Sequence, residues 1–300
     1  MIKLRDLQYL EAIDQHRHFG RAADACVVSQ PTLSGQIKKL EDQLGLILIE
    51  RNSGNLMLTP AGEALVSKAR KVLQAAHDFE QTAKTLTDPL AGELHVGLIH
   101  TIAPYLLPHM MEGLTRALPR IDFYLYENKT DNLLTQLYAG KLDVLIVAWL
   151  DKIAGVERYD LFEEPLLLAM QRGHELSRKK YLDLKDLQGQ EVLVLEDGHC
   201  LREQSLHYCF SAGAHEDARF QATSLETLRY MVASGLGITL LPQLATSQYH
   251  ATAMLEYRAF RKPVPTRTIS LLTRPNFSRN ECVRAMVKSI REQAKSALSK

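Results

Sequence analysis

The chain has 300 residues, is 46% hydrophobic and 24% charged, and carries a formal net charge of +1, the ordinary balance of a soluble globular protein of about two domains. No stretch approaches the roughly 18 apolar residues of a membrane span, and the start, Met-Ile-Lys-Leu-Arg-Asp, has no signal-peptide core, so a membrane or secreted protein is disfavoured and a cytoplasmic location is expected. In that reducing compartment Cys26, Cys200, Cys209 and Cys282 are expected as free thiols at rest, and any disulfide among them as transient and regulatory.

Residues 1–60 hold seven basic and seven acidic side chains, so a nucleic-acid surface there must rest on where the charges sit. Leu4, Leu7, Leu10 and Ile13 recur at helical spacing and predict an amphipathic first helix. Residues 19–26 predict a short second helix whose small packing residues allow close approach, with Cys26 as a buried small hydrophobe. Ser29 can cap a third helix with Pro31 in its first turn and Leu33, Ile37, Leu40 and Leu44 as its buried stripe. Its exposed side would carry Gln30, Thr32, Ser34, Gln36 and Lys38, as a helix entering the major groove requires. Amides and hydroxyls there can donate and accept at base edges, while Lys38, Lys39 and Arg51 can hold phosphates. A plain three-helix bundle would give the same apolar pattern.

The literal string goes further than the periodicity. Arg21-Ala22-Ala23-Asp24, Val28-Ser29-Gln30-Pro31-Thr32-Leu33-Ser34, Ile37-Lys38-Lys39-Leu40-Glu41 and Leu44-Gly45, followed by Glu50-Arg51 and Leu58-Thr59-Pro60-Ala61-Gly62, resemble the amino-terminal signature of LysR-type transcriptional regulators. The resemblance implies an all-α winged helix-turn-helix over 1–58, with a hairpin wing at 46–58 turned at Asn52-Ser53-Gly54-Asn55. It makes Gln30, Pro31, Thr32, Ser34, Gln36, Lys38 and Arg51 the candidate contacts to double-stranded promoter DNA, although a wing carrying only Arg51 is weakly basic for the family.

Thr59 can cap a helix entered by Pro60, although Gly62 stands where a capping box would want Glu or Gln. Leu65, Ala69, Val72, Leu73, Ala76, Phe79, Ala83 and Leu86 then sustain one apolar stripe along a helix with no core of its own. The family resemblance implies a linker helix over 59–88 that pairs with a second subunit; folding back on its own domain is the other outcome. After the break at Thr87-Asp88-Pro89-Leu90-Ala91-Gly92, strands are predicted at 94–99, 121–126, 144–149, 166–170, 192–195, 220–222, 238–241 and 268–273, alternating with helices. That pattern indicates an open, mostly parallel α/β sheet, with ligands bound beyond the carboxyl ends of its strands, where His100, Thr101, His199 and Cys200 fall.

Residues 201–212 read as one short helix stopped at Gly213. Nine positions from Cys200 to Cys209 are roughly 13 Å of helical rise, whereas a disulfide tolerates Cα atoms only about 7 Å apart. Joining the two sulfurs therefore demands that the segment refold. His199 and Arg202 beside Cys200, with the start of the helix, are suitable surroundings for a reactive cysteine and are expected to favour its thiolate. Two inert core thiols would account for the same pair taken alone, and Cys282 on the last helix reads as a packing residue.

Leu195-Glu196-Asp197-Gly198-His199-Cys200-Leu201-Arg202, Cys209-Phe210, Ala222-Thr223-Ser224-Leu225-Glu226-Thr227-Leu228-Arg229 and Gly237-Ile238-Thr239-Leu240-Leu241-Pro242 closely resemble the peroxide-sensing branch of the LysR family. This implies a regulatory domain over 92–300 of periplasmic-binding-protein type, with subdomain I (92–163 and 267–300) and subdomain II (164–266) hinged by crossovers near residues 163 and 266. It further implies that Cys200 is the peroxidatic residue, that Cys209 resolves its sulfenic acid to a reversible disulfide, and that Thr101, Thr130, His199 and Arg267 orient hydrogen peroxide. His100 stands where proline is expected; a titratable imidazole there would shift the thiol pKa or the peroxide threshold, or simply face solvent, which is the simpler reading.

The implied protein is a homotetramer, a dimer of dimers, that recruits RNA polymerase and activates oxidative-stress genes, with no cofactor and no enzymatic turnover. No metal is expected, since His16-Arg17-His18 lacks further ligands at zinc spacing. Two rivals are a family member that responds to a metabolite in the inter-subdomain cleft, and a thiol peroxidase carrying a DNA-binding domain. Stabilisation by a metabolite would mark the first and turnover of peroxide the second.

Overall fold

The computed structural model describes residues 2–52, 55–247 and 254–299, without the side chains of 51, 52, 55, 81–87 and 247. The side chain of Arg51 and residues Ser53 and Gly54 of the expected wing turn, like the side chains of Ala83 and Leu86 in the expected stripe, lie outside the described residues. The chain forms two compact units, residues 1–84 and 85–300.

In the first unit, α1 (Leu4–His16), α2 (Phe19–Ala25) and α3 (Gln30–Leu44) precede a hairpin of β1 (Ile49–Asn52) and β2 (Asn55–Leu58), and α4 (Pro60–Thr87) follows. Each helix start has its own cap. The Lys3 amide donates to the Asp6 carboxylate at 2.9 Å, His18 Nδ1 accepts from the Gly20 and Arg21 amides, and Ser29 Oγ accepts from the Thr32 amide. Leu10, Ile13, Ala22, Ala23, Leu33 and Ile37 form the core, closed over by Leu48 and Ile49 of the wing and Val66 of α4. Glu41, near the end of α3, accepts from the Leu48 and Ile49 amides at 2.8 and 3.1 Å and so fixes the hairpin relative to α3. Cys26 is half-buried at the end of α2 rather than in the core, because the chain turns out there to reach Ser29 and leaves Val27 exposed at a φ of 54°.

Gly62 is explained by a close approach. Thr59 caps α4 by accepting from the Gly62 amide at 3.0 Å while its hydroxyl donates to the Ile47 carbonyl at 2.7 Å, which draws the helix start onto the wing. A Cβ at Gly62 would lie 2.2 Å from the Leu48 carbonyl oxygen, which belongs to backbone. Gly62→Ala is therefore expected to destabilise this unit by about 1–3 kcal/mol, measured by denaturant unfolding with helical ellipticity as the signal. A variant as stable as the parent would show that the wing yields freely.

The second unit contains β3 (Ala91–Ile99), α5 (Ala103–Ala117), β4 (Arg120–Asn128), α6 (Thr130–Tyr138), β5 (Val144–Ala148), β6 (Glu157–Gln171), β7 (Glu191–Leu195), α7 (Cys200–Ser211), β8 (His215–Ala222), α8 (Leu225–Ala233), β9 (Thr239–Pro242), α9 (Gln243–Ser247), β10 (Leu255–Arg258), β11 (Thr266–Thr273) and α10 (Asn280–Leu298). The large sheet has the order β10-β6-β11-β5-β3-β4, with β9 also paired to β6, and β7 and β8 form a separate parallel pair. The expected mostly parallel sheet is corrected to a mixed one. Only β3–β4 and β3–β5 are parallel in the large sheet, whereas β11 and β6 return antiparallel. Strands buried on both faces read as apolar runs whichever way they point, so the sequence pattern carries no direction.

β6 holds the two halves of this unit on one strand. Through Pro165 it pairs with β11, and from Leu166 onward it pairs with β9 and β10. Its first half is rich in charged residues, so only its apolar second half is visible as a strand in the sequence.

Candidate redox site

Three strand-to-helix turns and one strand build the site. The turn after β3 carries His100 and Thr101 into α5, the one after β4 makes Thr130 the first residue of α6, and the one after β7 makes Cys200 the first residue of α7. Gly198, at a φ of 90°, makes the last turn possible, since only glycine takes that conformation without strain. Arg267 enters from β11, directly opposite Glu164 in the β6–β11 register.

The Cys200 thiol is buried and hydrogen-bonded to the Thr130 hydroxyl. Behind it lies a buried ionic cluster. Arg267 donates Nη1 to the Thr101 hydroxyl and Nη2 to the Thr101 carbonyl, both at 2.9 Å, and Nε to Glu164 Oε2 at 2.9 Å. The other Glu164 oxygen accepts from the Leu244 amide at 2.9 Å, at the start of α9. Arg267 and Glu164 side chains are both 0% exposed, so each charge depends on the other to remain in the interior.

Burial pushes the Cys200 thiol up, and the Thr130 hydrogen bond and the Arg267 charge pull it only part of the way back. The direction is opposite to the lowering that His199, Arg202 and the helix start lead one to expect from the sequence. The cation nearest in effect is also not the expected one. Arg202 turns away to donate to the Leu195 carbonyl at 3.0 Å and to pair with Asp197 and Glu216. It buttresses the turn before α7, and Arg267, 65 positions further along the chain, supplies the charge.

His199 is buried beside Cys200, its Nε2 has no hydrogen-bond partner, and the Glu196 carboxylate lies 3.9 Å from it. Burial first, then the neighbouring Lys129 and His100, hold its pKa below the usual histidine value. His100 does not simply face solvent. Its ring meets that of His199 edge-on with centroids 5.7 Å apart, and its Nδ1 is buried without a partner. Thr101, Thr130, Cys200, His199 and Arg267 therefore surround one location.

Cys209 lies ten residues into the same unbroken helix, buried, with its thiol pushed up to about 12 by burial alone. The polar side of α7 is clamped to the other elements of the unit. Gln204 donates to the Trp149 carbonyl at 3.2 Å, the Tyr208 hydroxyl donates to the Thr266 carbonyl at 3.1 Å, and Glu203 pairs with Lys152. Sequence reasoning missed Glu164 and these clamps. The signal for Glu164 was the second of two adjacent carboxylates before an apolar run, and its partner lies 103 positions away.

In the first unit, Gln30, Pro31, Thr32 and Lys38 are exposed on α3, and Ser34 and Gln36 are half-buried there. No cluster of three or more histidine, cysteine or carboxylate side chains suited to a metal occurs among the described residues. No helix among them is long and apolar enough to cross a membrane.

Residues 4–63 match the bacterial regulatory helix-turn-helix protein, lysR family, and residues 87–295 match the LysR substrate binding domain. A hydrogen peroxide-inducible genes activator of Dickeya chrysanthemi is 47% identical over 97% of this chain and 95% of its own length. The DNA-binding transcriptional dual regulator OxyR of Escherichia coli K12 is 48% identical over 91% of this chain and 90% of its own. Among solved structures, a full-length OxyR variant of Pseudomonas aeruginosa aligns with a TM-score of 0.75 at 39% identity, covering 97% of this chain and 98% of that one. An OxyR mutant of Corynebacterium glutamicum with hydrogen peroxide bound aligns with a TM-score of 0.69 at 31% identity, covering 99% and 94%. With both domain models matched in order and relatives of this identity along nearly its whole length, the chain belongs to the LysR family of bacterial regulators, in its OxyR branch.

Proposed function

We propose that this chain is a DNA-binding transcriptional activator, switched by hydrogen peroxide through a reversible disulfide between Cys200 and Cys209. The observation that carries the proposal is a cysteine at the first turn of α7, buried among Thr130, Thr101, His199 and the Arg267–Glu164 pair, on the same helix as a second buried thiol. The Cys200 sulfur attacks one peroxide oxygen, the O–O bond breaks, and thiol plus peroxide becomes sulfenic acid plus water. The Cys209 thiol then displaces the sulfenic oxygen, releasing a second water and leaving the disulfide, which a dithiol donor reduces to reset the protein.

Cys209 cannot act while α7 is intact, because it is buried, protonated and roughly 13 Å of helix from its target. Resolution requires α7 to let go of Trp149, Thr266 and Lys152, and that repacking is the signal. Subdomain I (92–163 and 267–300) and subdomain II (164–266), hinged where β6 changes partners, would move relative to each other.

In the winged helix-turn-helix over 1–58, Gln30, Pro31, Thr32, Ser34, Gln36 and Lys38 would read and position promoter DNA, with Arg51 on the wing. The helix over 59–88 would pair with that of a second subunit, covering Val72 and Phe79, which are 47% and 77% exposed in the single chain. Two such dimers make the tetramer that spans a promoter and recruits RNA polymerase in the cytoplasm. The protein is read as a sensor rather than an enzyme, consuming about one peroxide per oxidation cycle. Against the metabolite reading, the cleft cation Arg267 is already neutralised by Glu164, which leaves little pull for an anionic ligand.

The test treats the reduced full-length chain with one equivalent of peroxide and digests it without reductant, in parallel with DNA footprinting. A peptide linked through Cys200 and Cys209, together with a changed footprint, is the expected result. An unchanged footprint without that peptide sinks the redox reading and leaves a DNA-binding regulator of another signal.

A further inference from the structure

Beyond the four polar residues placed around Cys200, the turn after β3 brings one more titratable ring to the site. His100 precedes Thr101 and His199 precedes Cys200, so two strand-to-helix turns present their imidazoles to each other at 5.7 Å between centroids, edge to face. Both rings have a buried nitrogen without a partner, Nδ1 of His100 and Nε2 of His199, in a region where unpaired polar atoms are costly. The charged groups around His199 are Lys129 at the cap of α6, Glu196 in its own turn and His100 across the gap, with the Cys200 thiol next in the chain.

We propose that His100 is a positioning residue for peroxide reduction at Cys200, acting through His199, whose Nε2 makes no bond to the thiol in the resting protein and exchanges a proton with it through the bound peroxide, returning it to the departing oxygen. The chemistry calls for such a carrier. Burial pushes the Cys200 thiol up, yet the attacking species is the thiolate, and the oxygen that leaves must gain a proton to become water. A neutral imidazole can do both in turn, so thiol plus peroxide yields sulfenic acid plus water with no other reactant. His100 keeps His199 neutral in two ways. Its ring packs edge-on against that of His199 and adds to the burial of the imidazole, and a positive charge on either ring disfavours a second on its neighbour. The set point for peroxide is then held to lower pH than His199 alone would allow.

The inference rests on Cys200 being the peroxide-reacting thiol, and the experiment separates the two. Sulfenic acid formation is followed by dimedone trapping and mass spectrometry in the full-length chain carrying Cys209→Ser, from pH 5 to 8. If the parent forms no adduct at Cys200, the functional reading itself fails. If it does, His100→Gln and His100→Phe are expected to move the acid limb of the rate profile up by about half a pH unit, a loss of about threefold at pH 5.5. His100→Lys, which places a fixed cation there, is expected to move it down. Profiles that superpose on the parent overturn the role of His100. Should a variant not fold, carbon-13 spectra of the parent's histidines decide the matter: His100 and His199 titrating in coupled steps supports the inference, and independent titration overturns it.

Discussion

Glu164→Ala is expected to cost the regulatory half about 3–5 kcal/mol, enough to unfold it or bring it close to unfolding, because the change strands the Arg267 guanidinium in the interior without its counter-charge. Arg267 has a 0% exposed side chain, and three of its hydrogen bonds go to Glu164 and Thr101. The same carboxylate caps α9 through the Leu244 amide, so its loss loosens a helix start as well. Urea unfolding of the parent, Glu164→Ala and the double variant Glu164→Leu with Arg267→Met measures the effect. The double variant is expected to recover most of the stability, since replacing both ions by apolar groups removes the uncompensated charge, and to react more slowly with peroxide, since only the Thr130 hydrogen bond, without the Arg267 charge, then pulls the Cys200 thiol down. A Glu164→Ala chain within about 1 kcal/mol of the parent would show that water reaches Arg267 and that the pair is not structurally required.

Cys200→Ser is expected to abolish the peroxide response while leaving DNA binding in place. The serine hydroxyl can keep the hydrogen bond to Thr130 but cannot be oxidised by dilute peroxide. The protein contains a single tryptophan, Trp149, which makes the contrast directly readable. Its carbonyl accepts from Gln204 of α7, its indole nitrogen donates to Asp151 at 3.0 Å, and the Arg158 guanidinium lies 4.2 Å from its ring centroid. When α7 unravels, that environment changes. Stoichiometric peroxide should therefore shift Trp149 emission in the parent, and dithiothreitol should restore it. No shift is expected in Cys200→Ser, and in Cys209→Ser the shift should be absent or small, because the sulfenic acid forms while the helix stays intact. An emission change in Cys200→Ser would transfer the peroxide chemistry to another residue, and Cys26, half-buried in the first unit, would be the first to examine.

The sequence made the first unit legible because local rules decide it. The caps at Ser29 and Thr59, the proline at the first turn of α3 and the buried stripe Leu33, Ile37 and Leu40 are all short-range patterns, and the structure contains each of them. The segment 201–212 was read as a helix for the same reason, and α7 occupies Cys200–Ser211. What the sequence did not disclose is long-range. The direction of β6 and β11, the turning of Arg202 toward Glu216, the meeting of His100 with His199 and the pairing of Glu164 with Arg267 all depend on which distant strands end side by side. β10, Leu-Glu-Tyr-Arg, does alternate apolar and polar residues, but it escaped notice because four residues carry too short a pattern to stand out as a strand. The direction of the Cys200 shift was misjudged for a related reason. Neighbours in sequence suggested a cationic setting, while burial, which the sequence does not display, dominates.

The clamps on α7 also have an electrical meaning. Gln204, Tyr208 and Glu203 hold the helix in the reduced protein, and on the proposed switch the bonds they make would be lost when the disulfide closes. Whatever free energy they contribute therefore stands on the reduced side of the couple. For a two-electron couple, 1.4 kcal/mol corresponds to about 30 mV, so a helix held by 2–3 kcal/mol lifts the midpoint potential by roughly 40–60 mV. A firmly docked α7 makes a disulfide that cellular dithiols reduce readily, so the packing of one short helix sets the voltage at which the alarm switches itself off.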